Sequence, residues 1–365
     1  MKWWYGLVAL LLLTAIPAAT ESLVDGRRSV VLESGAARVV VDVLGGSIVR
    51  FEFKNSPLNP LVWGNAGSAS EARAIGHFLC LDRWGQPSDA ELKNGMPFHG
   101  EASKVEWKVL QEPASQTGAV AAELSASLPM AGLDVRRTIT LSSSGALFRV
   151  SEEVTNRNQL GRIYNMVQHA TIGPPFLDES TVVDSNARKG FMQSSPLPNP
   201  EEPDVYWPQA LKDSQPVNMR QLRDDPLPNV VSYTIDEEYG WVTASNAAKG
   251  LLIGYLWPTH DYPWFNAWRH VGDGKPLARG LEFGTTGLHQ PFPVLVRKGR
   301  IFGRPIYVHI DAGEKQSRSY AAFLLNIPND YRGVQTVIYA EGRVTLQERP
   351  GGPPRTLTMD VGNLW

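Results

Sequence analysis

The sequence contains a single cysteine, Cys80, among its 365 residues, and almost no excess of charge of either sign. One cysteine cannot form an internal disulfide, so the fold must be held together by burial of apolar surface rather than by cross-links. Cys80 lies in an apolar run, and apolar neighbours raise the pKa of a thiol. A packed core thiol is therefore favoured over a reactive nucleophile.

Lysine and arginine total 35, aspartate and glutamate total 37, and the formal net charge is −2. Binding to nucleic acid or to an anionic membrane depends on a basic field, which this balance does not provide. Neither is predicted as a partner. The sequence also has no Gly-x-Ser-x-Gly motif, which disfavours serine-hydrolase chemistry.

Long apolar runs are absent except at the N-terminus, where Lys2 is followed by the apolar stretch 3–16 and by the small residues 17–19. This layout is typical of a signal peptide spanning residues 1–19, with cleavage near Ala19. The run is shorter than the roughly 20 apolar residues of a membrane anchor, although an anchored form stays open. We expect an exported protein, periplasmic or extracellular, with no membrane contact after cleavage.

Alternation of apolar and polar residues with a period of two recurs through the chain. Residues 38–43 and 48–53 alternate on either side of Gly45-Gly46, which predicts a hairpin. No window of 15 residues after the signal carries a helical stripe, so the sequence predicts an all-β fold, a large antiparallel sandwich. Further strand-like runs are 105–110, 119–128, 133–141, 147–154, 163–172, 230–234, 251–257, 306–310, 319–325 and 336–339.

The segment 194–228 is rich in Pro, Asp, Glu and Asn and could be a linker between two domains. Strand-like pattern resumes after it without a new start signal, so a long surface excursion over a sheet face is favoured. The sequence therefore predicts a single domain, residues 20–365, with an excursion at about 194–228. The Pro-rich stretch 349–355 is interpreted as a surface tail.

Three ionisable residues stand in local contexts that suggest chemistry. His99 precedes Gly100, which would leave room for a ligand, although a surface loop histidine is an equal alternative. His169 falls late in a strand before a Gly-Pro-Pro exit, where a core histidine is the commoner explanation. Glu282 lies in an apolar strand bounded by glycines, where a carboxylate is costly to bury without partners, so a functional role is favoured.

The stretch 257–269 concentrates Trp257, Trp264 and Trp268 with the polar residues Asp261 and Asn266. Aromatic faces against sugar C–H surfaces, with polar side chains on the hydroxyls, would suit a carbohydrate site. A tryptophan-rich core corner is an equal alternative.

The joint order of these features resembles the aldose 1-epimerase (galactose mutarotase-like) superfamily, from about residue 30 to about 325. That resemblance implies a single large antiparallel β-supersandwich that needs no cofactor and no metal. The motifs that carry it are Gly45-Gly46, residues 97–100 with Trp107 beyond, residues 154–156, the strand ending in His169, residues 265–268, Glu282 and residues 311–314.

The resemblance also implies catalytic roles. Glu282 matches the general base that takes the proton from the anomeric hydroxyl, His169 the general acid that protonates the ring oxygen, and His99 a second histidine that hydrogen-bonds the sugar. The ring opens to the free aldehyde, and closure from the other face inverts the anomeric centre. A histidine and a carboxylate with its pKa raised toward neutrality suit this acid–base chemistry.

Substrate binding is less well matched. Family members place an arginine before the first histidine, and Arg83 or Arg73 would fill that position, neither in a clean match. Arg83, Asp261, Asn266 and Trp264 are the predicted sugar contacts. We expect an exported aldose 1-epimerase-like isomerase acting on a monosaccharide or a glycan end. A non-catalytic carbohydrate-binding protein and a polysaccharide-processing enzyme of the same fold are the alternatives, and no oligomeric state is predicted.

Overall fold

A computed structural model describes residues 22–64, 70–221 and 229–365, so the predicted signal peptide lies outside the described residues. The described chain forms two short helices, α1 (Asp89–Lys93) and α2 (Phe292–Lys298), and is otherwise built from strands. The strands are β1 Ser22–Val24, β2 Arg27–Glu33, β3 Ala37–Asp42, β4 Ile48–Phe53, β5 His77–Asp82, β6 Lys108–Gln116, β7 Ala119–Leu128, β8 Leu133–Ser142, β9 Leu147–Asn156, β10 Arg162–Ile172, β11 Val182–Ser185, β12 Lys189–Met192, β13 Val205–Tyr206, β14 Gln209–Lys212, β15 Gln215–Asn218, β16 Asn229–Thr234, β17 Tyr239–Asn246, β18 Leu251–Pro258, β19 Trp264–Gly272, β20 Lys275–Gly284, β21 Arg300–Ile301, β22 Arg304–Pro305, β23 Val308–Ile310, β24 Lys315–Asn326, β25 Val334–Ala340, β26 Arg343–Glu348 and β27 Thr356–Asp360.

Two antiparallel sheets form the body of the molecule. The larger sheet runs in the order β1-β2-β3-β4-β5-β10-β20-β19-β16-β12-β13, with β23 also pairing with β10. The smaller sheet runs in the order β11-β17-β18-β24-β9-β8-β7-β6. Buried apolar residues from both sheets make one continuous core between them, as expected of face-to-face packing. The predicted all-β, large antiparallel sandwich is confirmed.

Strand β10 shows how alternation sets the two faces of the larger sheet. Tyr164 and Gln168 point between the sheets, where they hydrogen-bond Gln316 of β24 and Glu152 of β9. The alternate residues of the strand, including Val167 and His169, point to the outer face. The neighbouring strands pair in register with β10, so their side chains alternate between the same two faces. The outer face of β5, β10, β19 and β20 therefore carries side chains that do not belong to the core between the sheets.

The predicted glycine hairpin is confirmed, with β3 and β4 on either side of Gly45 and Gly46. Both glycines have positive φ, 110° and 64°, which other residues adopt at a cost. A Cβ on Gly46 would also overlap the indole of Trp107, whose N–H donates to the carbonyl of Ala102 at 2.9 Å. The glycine pair thus turns the chain and admits a buried tryptophan.

The segment 194–228 was expected to be a surface excursion, and its described part, up to residue 221, is mostly exposed or half-buried, with a few side chains packed into the core. Strand β13 extends the edge of the larger sheet, and β14 and β15 form a hairpin beside it. Trp207 packs edge-on against Tyr233 and Phe265, with ring centroids 5.3 and 5.4 Å away, and Met219 is buried. These contacts close one side of the sandwich interior.

The interpretation of 349–355 as a tail is wrong, because these residues connect β26 to β27 in a third, three-stranded sheet. Arg349 donates to Asp184 at 2.8 Å, and Arg220 donates to the same carboxylate at 2.6 Å. Apolar residues of this sheet pack on Trp241 and Phe323, on the outer face of the smaller sheet. That face is therefore covered, whereas the outer face of the larger sheet carries a cavity. Within the described ranges, no helix has the length and apolar character to cross a bilayer.

Candidate active site

A cavity of about 410 Å³ lies on the outer face of the larger sheet, within the size range of small-molecule sites. His169 and Glu282 lie side by side in it, on neighbouring central strands. We call two further parts of its lining the aromatic wall and the histidine wall, and Lys104 lies exposed at the rim. The aromatic wall comprises Trp63, Ala74, Phe78, Val230 and Trp268, and the histidine wall comprises Trp84, Phe98, His99 and His289.

The carboxyl of Glu282 contacts the imidazole of His169, with Oε1 3.2 Å from Nε2. The other oxygen, Oε2, accepts a hydrogen bond from the indole N–H of Trp84 at 2.9 Å. Both side chains are almost completely buried, at 1% and 6% relative exposure. A Cβ at Gly280 would lie 2.7 Å from Glu282 Oε1, so the missing side chain of this glycine makes space for the carboxyl.

Burial decides the charge of this pair. Burial raises the pKa of the Glu282 carboxyl well above its usual value, against a smaller opposing effect of the Trp84 hydrogen bond. Burial lowers the pKa of His169 to about 3. Both shifts favour a protonated carboxyl and a neutral imidazole, joined by a hydrogen bond rather than as an ion pair.

Thr171 fixes which nitrogen of His169 carries its proton. The hydroxyl of Thr171 is 3.4 Å from the carbonyl of His169, to which it donates, and its oxygen is 2.9 Å from His169 Nδ1. We therefore assign the His169 proton to Nδ1, which donates to this oxygen, so that Nε2 is the acceptor facing Glu282. Since the Trp84 N–H occupies Oε2, the carboxyl proton of Glu282 is assigned to Oε1.

The backbone holds His99 in place. Its N–H donates to the carbonyl of Gly85 at 3.1 Å, and the N–H of Gly85 donates back to His99 Nδ1 at 3.0 Å. Burial, with the nearby histidines, lowers the pKa of His99 well below its usual value. The ring is therefore neutral, and its proton lies on Nε2. The adjacent Gly100 was expected to give a ligand access, but it packs against the carbonyl of Leu81 instead.

His289 is a cavity residue that the sequence did not single out. Its ring lies 5.4 Å from that of His99 and 4.7 Å from that of Trp84, and burial lowers its pKa to about 4. Gly85 allows this approach, because a Cβ there would come within 2.8 Å of the ring. His289 follows β20 in an irregular segment, where no strand pattern or motif marked it. Lys104, at the end of the short 3₁₀ helix Ala102–Lys104, was not singled out either.

Two of the predicted sugar contacts are engaged elsewhere. The guanidinium of Arg83 donates to Asp82 at 2.7 Å and to Glu91 at 2.9 Å, and neither Arg83 nor the alternative Arg73 lines the cavity. Trp264 packs in a separate apolar cluster around α2, where its N–H donates to the carbonyl of Pro305 at 2.8 Å.

The other two predicted contacts also lie outside the lining. Asp261 accepts from the backbone N–H of Ser319 at 3.1 Å, on the side of the smaller sheet. Asn266 pairs across strands with Glu282, but it is fully buried and donates to the carbonyl of Thr286 at 3.1 Å. His99, His169 and Glu282 are thus brought together, whereas the four predicted sugar contacts are not. In the described ranges no group of three or more His, Cys, Asp or Glu side chains is arranged to hold a metal ion.

Solved structures of other proteins have a similar fold. A galactose mutarotase-like protein from Clostridium acetobutylicum superposes with a TM-score of 0.61 at 13% identity, covering 82% of this chain and 96% of its own. A galactose mutarotase related enzyme from Lactobacillus acidophilus gives 0.56 at 13%, covering 82% and 98%. A protein from Escherichia coli K12 provisionally named aldose 1-epimerase gives 0.57 at 14%, covering 82% and 99%. The fold is therefore the galactose mutarotase-like supersandwich that the sequence resemblance predicted.

The family itself follows from the sequence match. Residues 78–292, more than half of the chain, match the model described as Domain of unknown function (DUF4432), and the chain belongs to that family. The matched range includes His99, His169, Glu282 and His289. No curated protein matches the sequence significantly.

Proposed function

We propose that the chain is an aldose 1-epimerase-like isomerase that interconverts sugar anomers by acid–base ring opening. The observation that carries this proposal is the contact between Glu282 Oε1 and His169 Nε2, 3.2 Å apart, inside a cavity of about 410 Å³. Ring opening needs one group that gives a proton and one that accepts a proton. This pair contains both, and the cavity has room for a sugar ring.

The pair holds one transferable proton in all. In the resting state that proton lies on Glu282, and its transfer across the hydrogen bond to His169 gives a carboxylate and an imidazolium. The anomeric hydroxyl and the ring oxygen are bonded to the same carbon, so one substrate carbon can face both groups. Glu282 then takes the hydroxyl proton while His169 gives its proton to the ring oxygen, and the C1–O5 bond breaks to the open-chain aldehyde.

Ring closure reverses each transfer. After rotation about C1–C2 the hydroxyl on C5 attacks the other face of the carbonyl, its proton returns to His169, and the carbonyl oxygen regains a proton from Glu282. The pair ends with the same single proton, so the cycle needs no net exchange with water. His99 lines the cavity and carries its proton on Nε2, because the Gly85 N–H occupies Nδ1, so its Nε2–H is available to donate to a sugar oxygen.

The decisive test is polarimetry of freshly dissolved α- and β-aldoses with purified protein, after subtraction of the spontaneous rate. We expect faster decay of optical rotation, and no acceleration by a Glu282→Gln variant of the same fold. Sugar binding without any acceleration, measured by calorimetry on the same panel, would support a carbohydrate-binding protein instead. Release of unsaturated or reducing ends from polysaccharides would support the polymer-processing alternative.

We propose export as well, on the layout of residues 1–19. The test is to fractionate cells that express the full chain and to determine the N-terminus of the recovered protein by mass spectrometry. A protein starting near residue 20 outside the cytoplasm is expected. An intact N-terminus in the cytoplasm would contradict the proposal.

A further inference from the structure

The polar side chains of the cavity lining are few. His99 and His289 belong to the histidine wall, His169 and Glu282 form the reacting pair, and Lys104 lies at the rim. In the aromatic wall the described lining residues offer no carboxylate, amide, hydroxyl or guanidinium group, and only the indole N–H groups are polar. A sugar substituent that lies against the aromatic wall therefore meets hydrocarbon and indole N–H groups alone.

Rings of the aromatic wall pack directly against His169. The ring of Phe78 stacks on the imidazole with centroids 4.1 Å apart and planes 21° apart. Trp268 meets the same imidazole edge-on at 5.9 Å, and Trp63 lies 5.6 Å from Trp268. A substrate atom that approaches His169 is thus adjacent to these three rings.

The position of His169 determines which sugar substituent faces the wall. In the proposed function this residue protonates the ring oxygen, and the carbon next to that oxygen on the far side from C1 is C5. The group on C5, which is CH₂OH in an ordinary hexose and CH₃ in a 6-deoxyhexose, therefore lies beside Phe78, Trp63 and Trp268. A hydroxyl there would leave water without gaining a strong partner.

We propose that the cavity selects 6-deoxyhexoses over the corresponding fully hydroxylated hexoses. The inference rests on the proposed function, because it uses the orientation in which His169 faces the ring oxygen. A methyl group on C5 fills the corner formed by the aromatic wall, and the remaining hydroxyls face the histidine wall and the rim.

Matched pairs that differ only in the oxygen on C6 test this selectivity in wild-type protein. They are D-fucose with D-galactose, 6-deoxy-D-glucose with D-glucose, and L-rhamnose with L-mannose. Polarimetry should give a kcat/KM higher for the deoxy member by roughly 10- to 100-fold, the range by which an apolar pocket rejects an added hydroxyl. Equal or reversed ratios in every pair that turns over would overturn the inference while leaving the isomerase function intact. A panel in which no sugar turns over would instead defeat the proposed function.

Lys104 supplies a rival explanation of selectivity, because a rim cation would favour sugars with an anionic group. Lys104→Met keeps the side-chain length and removes the charge, and we expect the ratio of deoxy to hydroxylated substrate to be the same in the variant. D-Galacturonate is included as the anionic probe. The inference is wrong if D-galacturonate has a higher kcat/KM than both D-fucose and D-galactose in wild-type protein. It is also wrong if the preference for the deoxy sugar disappears in Lys104→Met, because the rim charge would then set specificity.

Discussion

Two buried histidines lie on opposite faces of the same pair of strands. His77 of β5 pairs with Ala170 of β10 and points between the sheets, whereas His169 of β10 pairs with Phe78 of β5 and points to the outer face. Burial lowers the pKa of each to about 3. By burial and pKa alone, the two residues are indistinguishable.

Their surroundings differ. His77 Nε2–H donates to Gln168 at 3.2 Å, and Gln168 in turn donates to Glu152 at 2.6 Å, whose charge is compensated by the buried Arg137. That network lies inside the core, away from the cavity. His169 contacts a protonated carboxyl, and both groups line an open cavity. A perturbed pKa therefore marks burial, and only the adjoining cavity with a proton partner marks a candidate active site.

The largest expected effect is a loss of activity that occurs for variants on the outer face and not for a variant between the sheets. Glu282→Gln and His169→Asn should each lower kcat/KM for mutarotation by roughly 100- to 10,000-fold, because each removes a proton-transfer group. His77→Asn should change kcat/KM by less than about threefold and lower the free energy of unfolding by about 1–3 kcal/mol, as expected for a disturbed buried hydrogen bond. Polarimetry and urea denaturation measure both quantities. If His77→Asn were as inactive as His169→Asn while still folded, the comparison would fail.

The next effect concerns Arg83, which the sequence assigned to the substrate and the structure places between Asp82 and Glu91. Arg83→Met should lower the free energy of unfolding by about 3 kcal/mol, because it leaves the buried carboxylate of Asp82 with fewer partners. KM should be unchanged, since the guanidinium does not line the cavity. A raised KM with unchanged stability would restore the sequence-based assignment.

A smaller effect is expected at Gly280, whose missing side chain makes space for Glu282. In Gly280→Ala the added methyl must displace the carboxyl from His169, and misplacement of a catalytic group by about 1 Å can cost roughly 100-fold. We expect a loss of roughly 10- to 100-fold in kcat with little change in stability. Gly145→Ala is the matched control, because a Cβ there meets nothing within 4 Å. Equal activity of the two variants would show that Glu282 tolerates displacement.

The last effect is a pH dependence of stability, which both faces share. His77 and His169 stay neutral in the folded protein down to pH about 3, and His289 to about 4, whereas unfolded histidines take up protons below about 6.5. The unfolded state thus binds more protons, so the free energy of unfolding falls as the pH drops from about 6.5 toward 3.

Each histidine contributes up to about 1.4 kcal/mol per pH unit, and Glu282, whose pKa is raised, offsets one of them above about pH 4.5. Urea denaturation between pH 4 and 7 measures the slope. His77→Asn and His169→Asn should flatten it by similar amounts, because burial sets both pKa values. A slope changed by only one of the two variants would show that their burial is not equivalent.

Much of the fold could be predicted from the sequence because alternation with a period of two reports directly which strand face is buried. The run 119–128 coincides with β7, and 133–141, 147–154 and 163–172 fall within β8, β9 and β10. Strands β19 and β20 were harder to predict, because central strands are buried on both faces and show little alternation. Residues 205–218 extend the edge of the larger sheet and form a hairpin beside it. Their position depends on the packing of Trp207 against residues distant in sequence, which no local pattern indicates.

The candidate site could be predicted only in part, for a physical reason. His99, His169 and Glu282 lie on or beside regular strands, where order along the chain translates into position on a sheet. Their convergence in one cavity agrees with the sequence-based set. Arg83 and Asp261 were assigned through a loose resemblance to family motifs, which does not specify the direction of a side chain. Arg83 turns to Asp82 and Glu91, and Asp261 to the backbone of Ser319.

The reciprocal pair of hydrogen bonds between Gly85 and His99 makes the length of the intervening loop part of the site. Both bonds use main-chain atoms of Gly85, so the direction of the His99 Nε2–H is encoded by the path of residues 85–99 rather than by a side chain that could be exchanged. An insertion or deletion in that loop, which contains α1, would displace the His99 Nε2–H donor from the cavity. Every cavity residue would still be present in the sequence. Relatives that keep the histidine but differ in this spacing should therefore not be assumed to keep its role.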